Sequence, residues 1–483
     1  MQTLIPEPVT ATARAKGRFG RTLAFGLTPR ALLLLLAGVL LSIPAFFHPG
    51  RLWIMLAWDA LVCGIIAFDL TRLPPPAALS VTRRFVHSPA LGAATEIVHE
   101  VLHQSNAILE IRLTDDLHPA LIATPQTQTI LAYPREPAST AQICYPSRRG
   151  DFPLGEVFLR YRGALRLVER WAVARLEQRV RVFPATEQAG GNTAFYLMRA
   201  RQIELQKRRL RLRGTGREFE SLRDYQTGDE LRNISWPATA RRARLITRQF
   251  TTERSQQVWI VLDAGRLSRT AFEMRSSWPA GKGEVEQDAA QRHLLSVTQL
   301  DQAASAAVML AQVIAGSGDK FALMTYGRRI QQQLLPGAGA SHLRLLIDQL
   351  SQVRSEPSEA DHLHAVARLK NLQRRRGLIL WITEMAESAG RPEVVAAAAE
   401  LVRRHLVVLV LLTHPELDAL ATRDPRTVDE MFASTAAQEM LERRRATLVQ
   451  LRRQGVLVVE TTPAEVGAAT ISKYLEVKAG GLL

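Results

Sequence analysis

Two apolar runs constrain this chain more than anything else in it. "ALLLLLAGVLLSIPAFF" covers Ala31 to Phe47 without a charge, and "LWIMLAWDALVCGIIAF" covers Leu52 to Phe68 with only Asp59 inside it. The four residues "HPGR" separate them. A helix needs about 20 apolar residues to cross a bilayer. The first run reaches that length when extended back through Phe25, Gly26 and Leu27, which brings in Arg30. The spacing predicts two transmembrane helices in a tight hairpin over 25–70. Asp59 inside a span must pair with a neighbour, mark an oligomer contact, or be tolerated beside protein. A signal peptide would fit less well: the leading segment is long, a second run follows, and no small-x-small cleavage site stands between them.

The flanking cations set the orientation. Arg14, Lys16, Arg18, Arg21 and Arg30 precede the first run, Arg72, Arg83 and Arg84 follow the second, and the connection holds only Arg51. The positive-inside rule then puts both termini in the cytoplasm, with 1–24 as a basic N-terminal segment. "LPPPA", from Leu73 to Ala77, stiffens the exit.

From 75 to 185 the texture changes to short runs of partial period-two alternation, such as "EIVHEVLH", "ILEIRLTDD" and "GEVFLRYRG", separated by Gly, Pro, Asp and Asn. That spacing predicts a β-sandwich-like domain. His99, His103 and His118 are scattered along it and read as surface residues rather than metal ligands.

Beyond 255 five short, continuously apolar runs stand out: Val258–Asp263, Phe321–Tyr326, Leu378–Glu384, Leu406–Leu412 and Val456–Glu460. Strands buried on both faces look like this. Helical patterns lie between them, at Asp301–Ala315, Leu343–Val353, Pro392–His405, Ala436–Arg453 and Pro463–Val477. The alternation predicts an α/β domain over 255–483 with a doubly wound, mostly parallel sheet. Ligands gather at the carboxyl ends of such strands, which singles out Asp263 and places Glu384 near it. The polar stretch between Gly265 and Asp301 reads as a flexible loop or lid.

A net charge of +16 favours an anionic neighbour: nucleic acid, an anionic membrane face or an acidic protein. "KRRLRLR", Lys207 to Arg213, is the densest basic run. Beside a membrane it would meet anionic lipid. Few aromatics interleave it, so nucleic acid is not the expected partner. Cys63 and Cys144 offer neither a disulfide framework nor zinc spacing. No phosphate-binding Gly-x4-Gly-Lys-Ser/Thr loop is present, so any ATP hydrolysis belongs to a partner.

Within 193–254, read as a linker and signature region, lies "GTGREFESLRDYQTGDELRNISWPATARRARLITRQFTTER". Phe219, Arg223, Tyr225, Gly228, Asp229, Arg232, Ile234, Trp236, Ala240 and Arg241 stand at fixed spacings. This closely resembles the signature of the bacterial domain-of-unknown-function family fifty-eight. The resemblance extends into the C-terminal half, which looks like a von Willebrand factor A-type domain. It implies a membrane-anchored, non-enzymatic protein of the bacterial inner membrane that keeps company with MoxR-type AAA+ ATPases. It also implies a partner-binding face with a divalent ion held by Asp-x-Ser-x-Ser. Here the stretch is "DAGRLS": Asp263 matches, while Gly265 and Leu267 replace both serines. Mg²⁺ needs several oxygen ligands. Asp263 and Glu384, with Ser268 or Ser358, would form at best a degenerate site; otherwise Asp263 caps the next segment or pairs with an arginine.

The signature itself admits two uses. Trp236, Asp229 and Arg232 suit a packed collar held by Arg–Asp pairs, with Gly228 and Asp229 in a tight turn. Arg241, Arg242 and Arg244 suit a partner-facing surface. The expected function is a membrane-anchored scaffold or adaptor binding a protein. The alternatives are a metal-dependent hydrolase using Asp263 and Glu384, or binding of anionic lipid or nucleic acid through Lys207 to Arg213.

Overall fold

The computed structural model describes all residues except 1–4, 16–23, 42, 44–51, 186–194, 204–217, 227–228, 230, 252–255, 276–293, 386–392 and 483. The basic run at 207–213 and Gly228 therefore lie outside the described residues, as does most of the stretch read as a lid. The chain divides into two compact units, 1–185 with 275–295, and 186–274 with 296–483.

The first unit is the expected sandwich with the apolar helices attached. Strands β1 (Val9–Thr12), β2 (Arg14–Ala15) and β3 (Phe25–Leu27) lead into α1 (Pro29–Leu40) and α2 (Leu52–Arg72). Then come β4 (Leu79–Phe85), β5 (Thr95–His103), β6 (Leu109–Asp115), β7 (Leu121–Thr124), β8 (Thr127–Ala132), β9 (Ala138–Pro146), β10 (Gly150–Arg162) and β11 (Val168–Val182). One sheet runs β1-β4-β5-β9-β7 and the other β2-β11-β10-β6-β8, with β3 also on β11. Alternation in β4 and β5 sends Leu79, Val81 and Val101 inward against Ile111, Leu113, Leu159 and Tyr161, and Phe85 and Ile97 against Leu154, Val180 and Val182.

Three expectations change here. Part of the basic N-terminal segment is sandwich: β1 pairs with β4 and β2 with β11. Phe25–Leu27 does not lengthen the first span but forms β3, since the edge of β11 offers it backbone partners. That leaves α1 with 12 residues, about 18 Å of rise and too short to cross alone. Among the described residues one helix, starting at Trp53, is long and apolar enough to cross. Most of the rest of the first apolar run and the connection after it, 42 and 44–51, lie outside the described residues. Helix α1 packs on α2, with Trp58 Nε1 donating to Leu34 O at 2.9 Å. The third change concerns the histidines. His99 and His103 are fully buried rather than on the surface. His99 meets Asp115 at 2.9 Å, and His103 bonds Ala132 O at 3.2 Å.

The second unit carries the signature as a hairpin, β12 (Glu218–Asp224) against β13 (Ile246–Thr251), with the short helix α3 (Trp236–Arg242) between them. Next come β14 (Gln257–Asp263), β15 (Ala271–Arg275), β16 (Leu294–Thr298), α4 (Gln299–Gly316), β17 (Lys320–Tyr326), β18 (Ile330–Gly337), α5 (Ala340–Gln352) and α6 (His362–Leu372). The chain ends with β19 (Leu378–Thr383), α7 (Glu393–Val402), β20 (Leu406–Leu412), α8 (Pro415–Thr422), α9 (Val428–Arg453), β21 (Leu457–Thr461) and α10 (Val466–Ala479). Its sheet runs β18-β17-β14-β19-β20-β21, parallel except for antiparallel β18. Helices α4 and α10 cover one face, and α6, α7 and α9 the other. In chain order this is 3-2-1-4-5-6, so β14 and β19 flank the point where the winding reverses.

Candidate functional site

The reversal point brings together the ends of β14 and β19, as their apolar runs require. Asp263 closes β14, and Thr383 and Glu384 close β19. Thr383 donates its hydroxyl to Asp263 Oδ2 at 2.6 Å, and the Gly265 N–H donates to Oδ1 at 2.8 Å. Burial pushes the Asp263 carboxyl above its ordinary pKa; His362, the Thr383 hydroxyl and the Gly265 amide oppose that rise. One step away, Trp381 Nε1 donates to Tyr326 Oη at 2.8 Å, and Tyr326 Oη lies 2.8 Å from His362 Nδ1. The direction of the Tyr326–His362 bond follows the state of the imidazole, since the hydroxyl can accept a second bond or donate its own proton. Burial, and then the Asp263 charge, hold the Tyr326 phenol well above its usual pKa.

Glu384 pairs through Oε1 with His414 Nε2, from the loop after β20. Gln299, at the start of α4, brings Nε2 within 3.5 Å of His414 Nδ1. Thr383, His414, Gln299, Tyr326 and His362 went unmarked in the sequence. The signal for His414 was its place after a buried strand, in line with Asp263 and Glu384.

These groups do not fit a Mg²⁺ site. Both Asp263 oxygens already accept hydrogen bonds. A Cβ at Gly265, where the metal pattern wants a serine, would sit 2.8 Å from Ala360 N and 2.9 Å from Ala360 Cβ. The chain after Ser358 thus fills the space a hydroxyl ligand would use. Ser268 donates to Gly265 O at 2.7 Å, and Ser358 faces Glu356 at 3.4 Å. Among the described residues no three His, Cys, Asp or Glu side chains converge to hold an ion.

Beside the cluster lies an open groove lined by Leu267, Met385, Leu417, Leu420 and Met440 together with Arg266, Thr270, Glu384, His414 and Glu416. Its empty space is ≈ 1010 Å³, open mouth included.

The signature residues gather on the β12–β13 hairpin. Asp229 Oδ2 accepts from Gln226 N at 3.0 Å, and Oδ1 from Arg223 Nη2 at 2.6 Å. The backbone bond and then the arginine lower its pKa. The Tyr225 hydroxyl reaches Asp229 O at 3.5 Å. Arg244 pairs with Asp224 at 2.9 Å, so it serves the hairpin as well as the surface. Arg241 and Arg242 are exposed. Trp236 departs from the expected packed collar: on the seven-residue α3 it is 65% exposed among the described residues. The side chains of Phe219 and Arg232 lie outside the described residues.

Comparison with known proteins follows this geometry. An uncharacterized protein of Mycobacterium tuberculosis, Rv1480, is 24% identical over 195 residues, covering 38% of this chain and 55% of that protein. The uncharacterized YeaD of Bacillus subtilis is 27% identical over 132 residues, 26% of this chain and 30% of YeaD. The chain thus spans about half or less of the length of these relatives. Among solved structures, a conserved hypothetical protein, BatB, from Bacteroides thetaiotaomicron covers 46% of this chain and 99% of its own, at 13% identity and TM-score 0.28. The VWA domain of SpRpn10 covers 44% and 93%, at 10% and 0.23. At such scores the fold rests on strand order and direction rather than on superposition. A family model described as "Protein of unknown function DUF58" matches residues 221–450.

Proposed function

We propose that the chain is a membrane-anchored scaffold or adaptor whose α/β domain grips a protein partner at the carboxyl ends of β14 and β19. The observation that carries this reading is the groove. It is open and lined by apolar side chains with charged and polar ones among them, the make-up of a protein-binding patch rather than of an enclosed pocket for a small molecule. It also lies at the strand ends where this sheet order collects ligands. Asp263, Thr383, Glu384 and His414 form a hydrogen-bonded ledge beside it. They hold the loops in place, and no step of chemistry is assigned to them. The partner we favour is a MoxR-type AAA+ ATPase, which would supply the ATP hydrolysis this chain has no phosphate loop for.

The anchor is the α1–α2 pair in the bacterial inner membrane. The start of α1 and the end of α2 bind the same β10–β11 turn: Thr28 N donates to Leu167 O at 3.0 Å, and Asp69 Oδ2 accepts from Leu167 N and Val168 N at 3.0 and 3.1 Å. Both ends of the helical segment therefore lie on one side, which supports a hairpin with both termini cytoplasmic. The hydrolase alternative lacks a ligand set, as the Gly265 geometry indicates.

The test is affinity capture of the full chain from membranes of its own host, alongside a Leu417→Glu/Leu420→Glu variant. The expected result is an AAA+ ATPase enriched with the wild type and lost with the variant. Equal recovery with both proteins, or no ATPase with either, counts against this reading.

A further inference from the structure

The sandwich distributes its exposed apolar side chains unevenly. After α2, the exposed large apolar residues of the described sandwich are Leu102, Ile108, Leu131, Tyr133, Ile143 and Leu165. Register places five of these at one end. Leu102 lies opposite Ser80, at the start of β4, and Leu131 lies opposite Glu110, which lies opposite Arg162 at the end of β10. Ile108 immediately precedes β6, Tyr133 follows β8, and Leu165 tips the β10–β11 turn. Only Ile143 sits away, opposite Glu96 near the start of β5.

That end is where the apolar helices attach. Besides the Thr28 and Asp69 bonds, Tyr161 Oη donates to Pro74 O at 2.7 Å, and Arg170 donates to Pro74 O at 3.1 Å and Leu70 O at 3.3 Å. Asp69 is 3% exposed. So many buried bonds fix the exit of α2 to the sheet, and the sandwich has little freedom to tilt away from whatever surrounds the helices. Three exposed arginines share this end: Arg30 on α1, Arg72 on α2, and Arg135, whose N–H bonds His103 O.

We propose that the helix-bearing end of the sandwich is a lipid-contacting surface, with Ile108, Leu131, Tyr133 and Leu165 in the headgroup layer of an anionic bilayer and Arg30, Arg72 and Arg135 against its phosphates. The inference rests on the membrane anchoring argued under Proposed function. A tyrosine at this level matches the aromatic preference of membrane interfaces. Arginines near an anionic leaflet are favoured, and apolar tips at its depth lose contact with water. The sandwich is then a foot pressed on the membrane rather than a domain hanging from a tether.

The test uses the full chain in vesicles of phosphatidylcholine and phosphatidylglycerol, with an environment-sensitive fluorophore on single cysteines. The exposed Cys63 reports the helix; in a Cys63→Ser background, Tyr133→Cys, Leu165→Cys and Ile143→Cys report the sandwich, and buried Cys144 stays unlabelled. Lipid brominated near its headgroup should quench the Tyr133→Cys and Leu165→Cys labels at least about threefold more than Ile143→Cys, as interfacial residues require. Lipid brominated along its acyl chains reads Cys63, which lies mid-way along α2. If that lipid quenches Cys63 while both tip labels behave like Ile143→Cys, the proposal fails and the anchor stands. If Cys63 escapes it, the anchor fails and takes the proposal with it. Tip labels shielded from both lipid bromine and aqueous iodide would show a protein covering this end, and also overturn it.

Discussion

A buried polar cluster of the sandwich and the polar cluster at the strand ends of the α/β domain are built differently. In the sandwich, Arg83 and Asp115 form an ion pair with side chains 0% and 1% exposed. His99 joins Asp115 at 2.9 Å, and Arg83 also donates to Leu176 O and Gly155 O, each at 3.1 Å. In the α/β domain, Asp263, Thr383, Glu384 and His414 sit at strand ends beside an open groove. The sealed cluster brings an arginine to its carboxylate and gives it further carbonyl partners. The open cluster pairs its carboxylates with a hydroxyl, an amide and a histidine, and leaves Asp263 with a raised pKa. The first arrangement serves stability. The second is retained where stability gains least from it, as functional surfaces often are.

The comparison can be broken by variants. Asp115→Ala leaves Arg83 buried without its carboxylate and should lower unfolding stability by about 3–5 kcal/mol, read by denaturant titration of the purified chain. A loss near zero would mean the sandwich cluster is not sealed. Gly265→Ser restores the hydroxyl of the metal pattern but drives a Cβ into Ala360. It should destabilise by about 1–3 kcal/mol. Mg²⁺ should not raise its thermal midpoint; a Mg²⁺-dependent rise would show that a metal site is only one residue away.

Asp263→Asn should act in the opposite direction. A carboxyl with a raised folded pKa stays protonated in the fold after the unfolded chain has ionised. Stability therefore falls as pH rises from the unfolded pKa through the folded one. Asparagine removes that penalty, and the thermal midpoint near pH 7 should rise by roughly 2–4 °C while partner capture weakens. An unchanged midpoint would place Asp263 in water. His405 sharpens the contrast with His99, which has a carboxylate beside it. Burial, then Arg404 and Lys370, push the His405 pKa down. Its contribution is complete above the unfolded value of about 6.5 and is lost as pH falls through the folded one. His405→Gln should flatten the decline of stability below about pH 6.5. Parallel curves for the two proteins would remove His405 from the account.

Much of the fold was legible because burial on two faces writes itself as continuous apolar runs. Val258–Asp263 and Leu406–Leu412 appear as strands almost as read. Strand β18, "IQQQLLPG", was missed because an edge strand with one open face keeps its glutamines. Helices α6 and α8 escaped for a similar reason: each is short with few buried apolar residues, α8 packs on α9, and Ala421 is the one residue of α8 buried. The site was half legible. Asp263 and Glu384 follow from strand ends, whereas His414 joins them from 30 residues further along the chain, through strand order alone.

By itself the sequence determined which segments are apolar on one side, on both or all round. Those patterns are local and follow from the solvent each segment must meet. Only the tertiary structure decided that Phe25–Leu27 pairs with β11 instead of lengthening a span, that Trp236 faces out, and that Ala360 closes the space beside Gly265. Those outcomes depend on which distant backbone or side chain arrives at the same point, and a one-dimensional pattern carries no record of that.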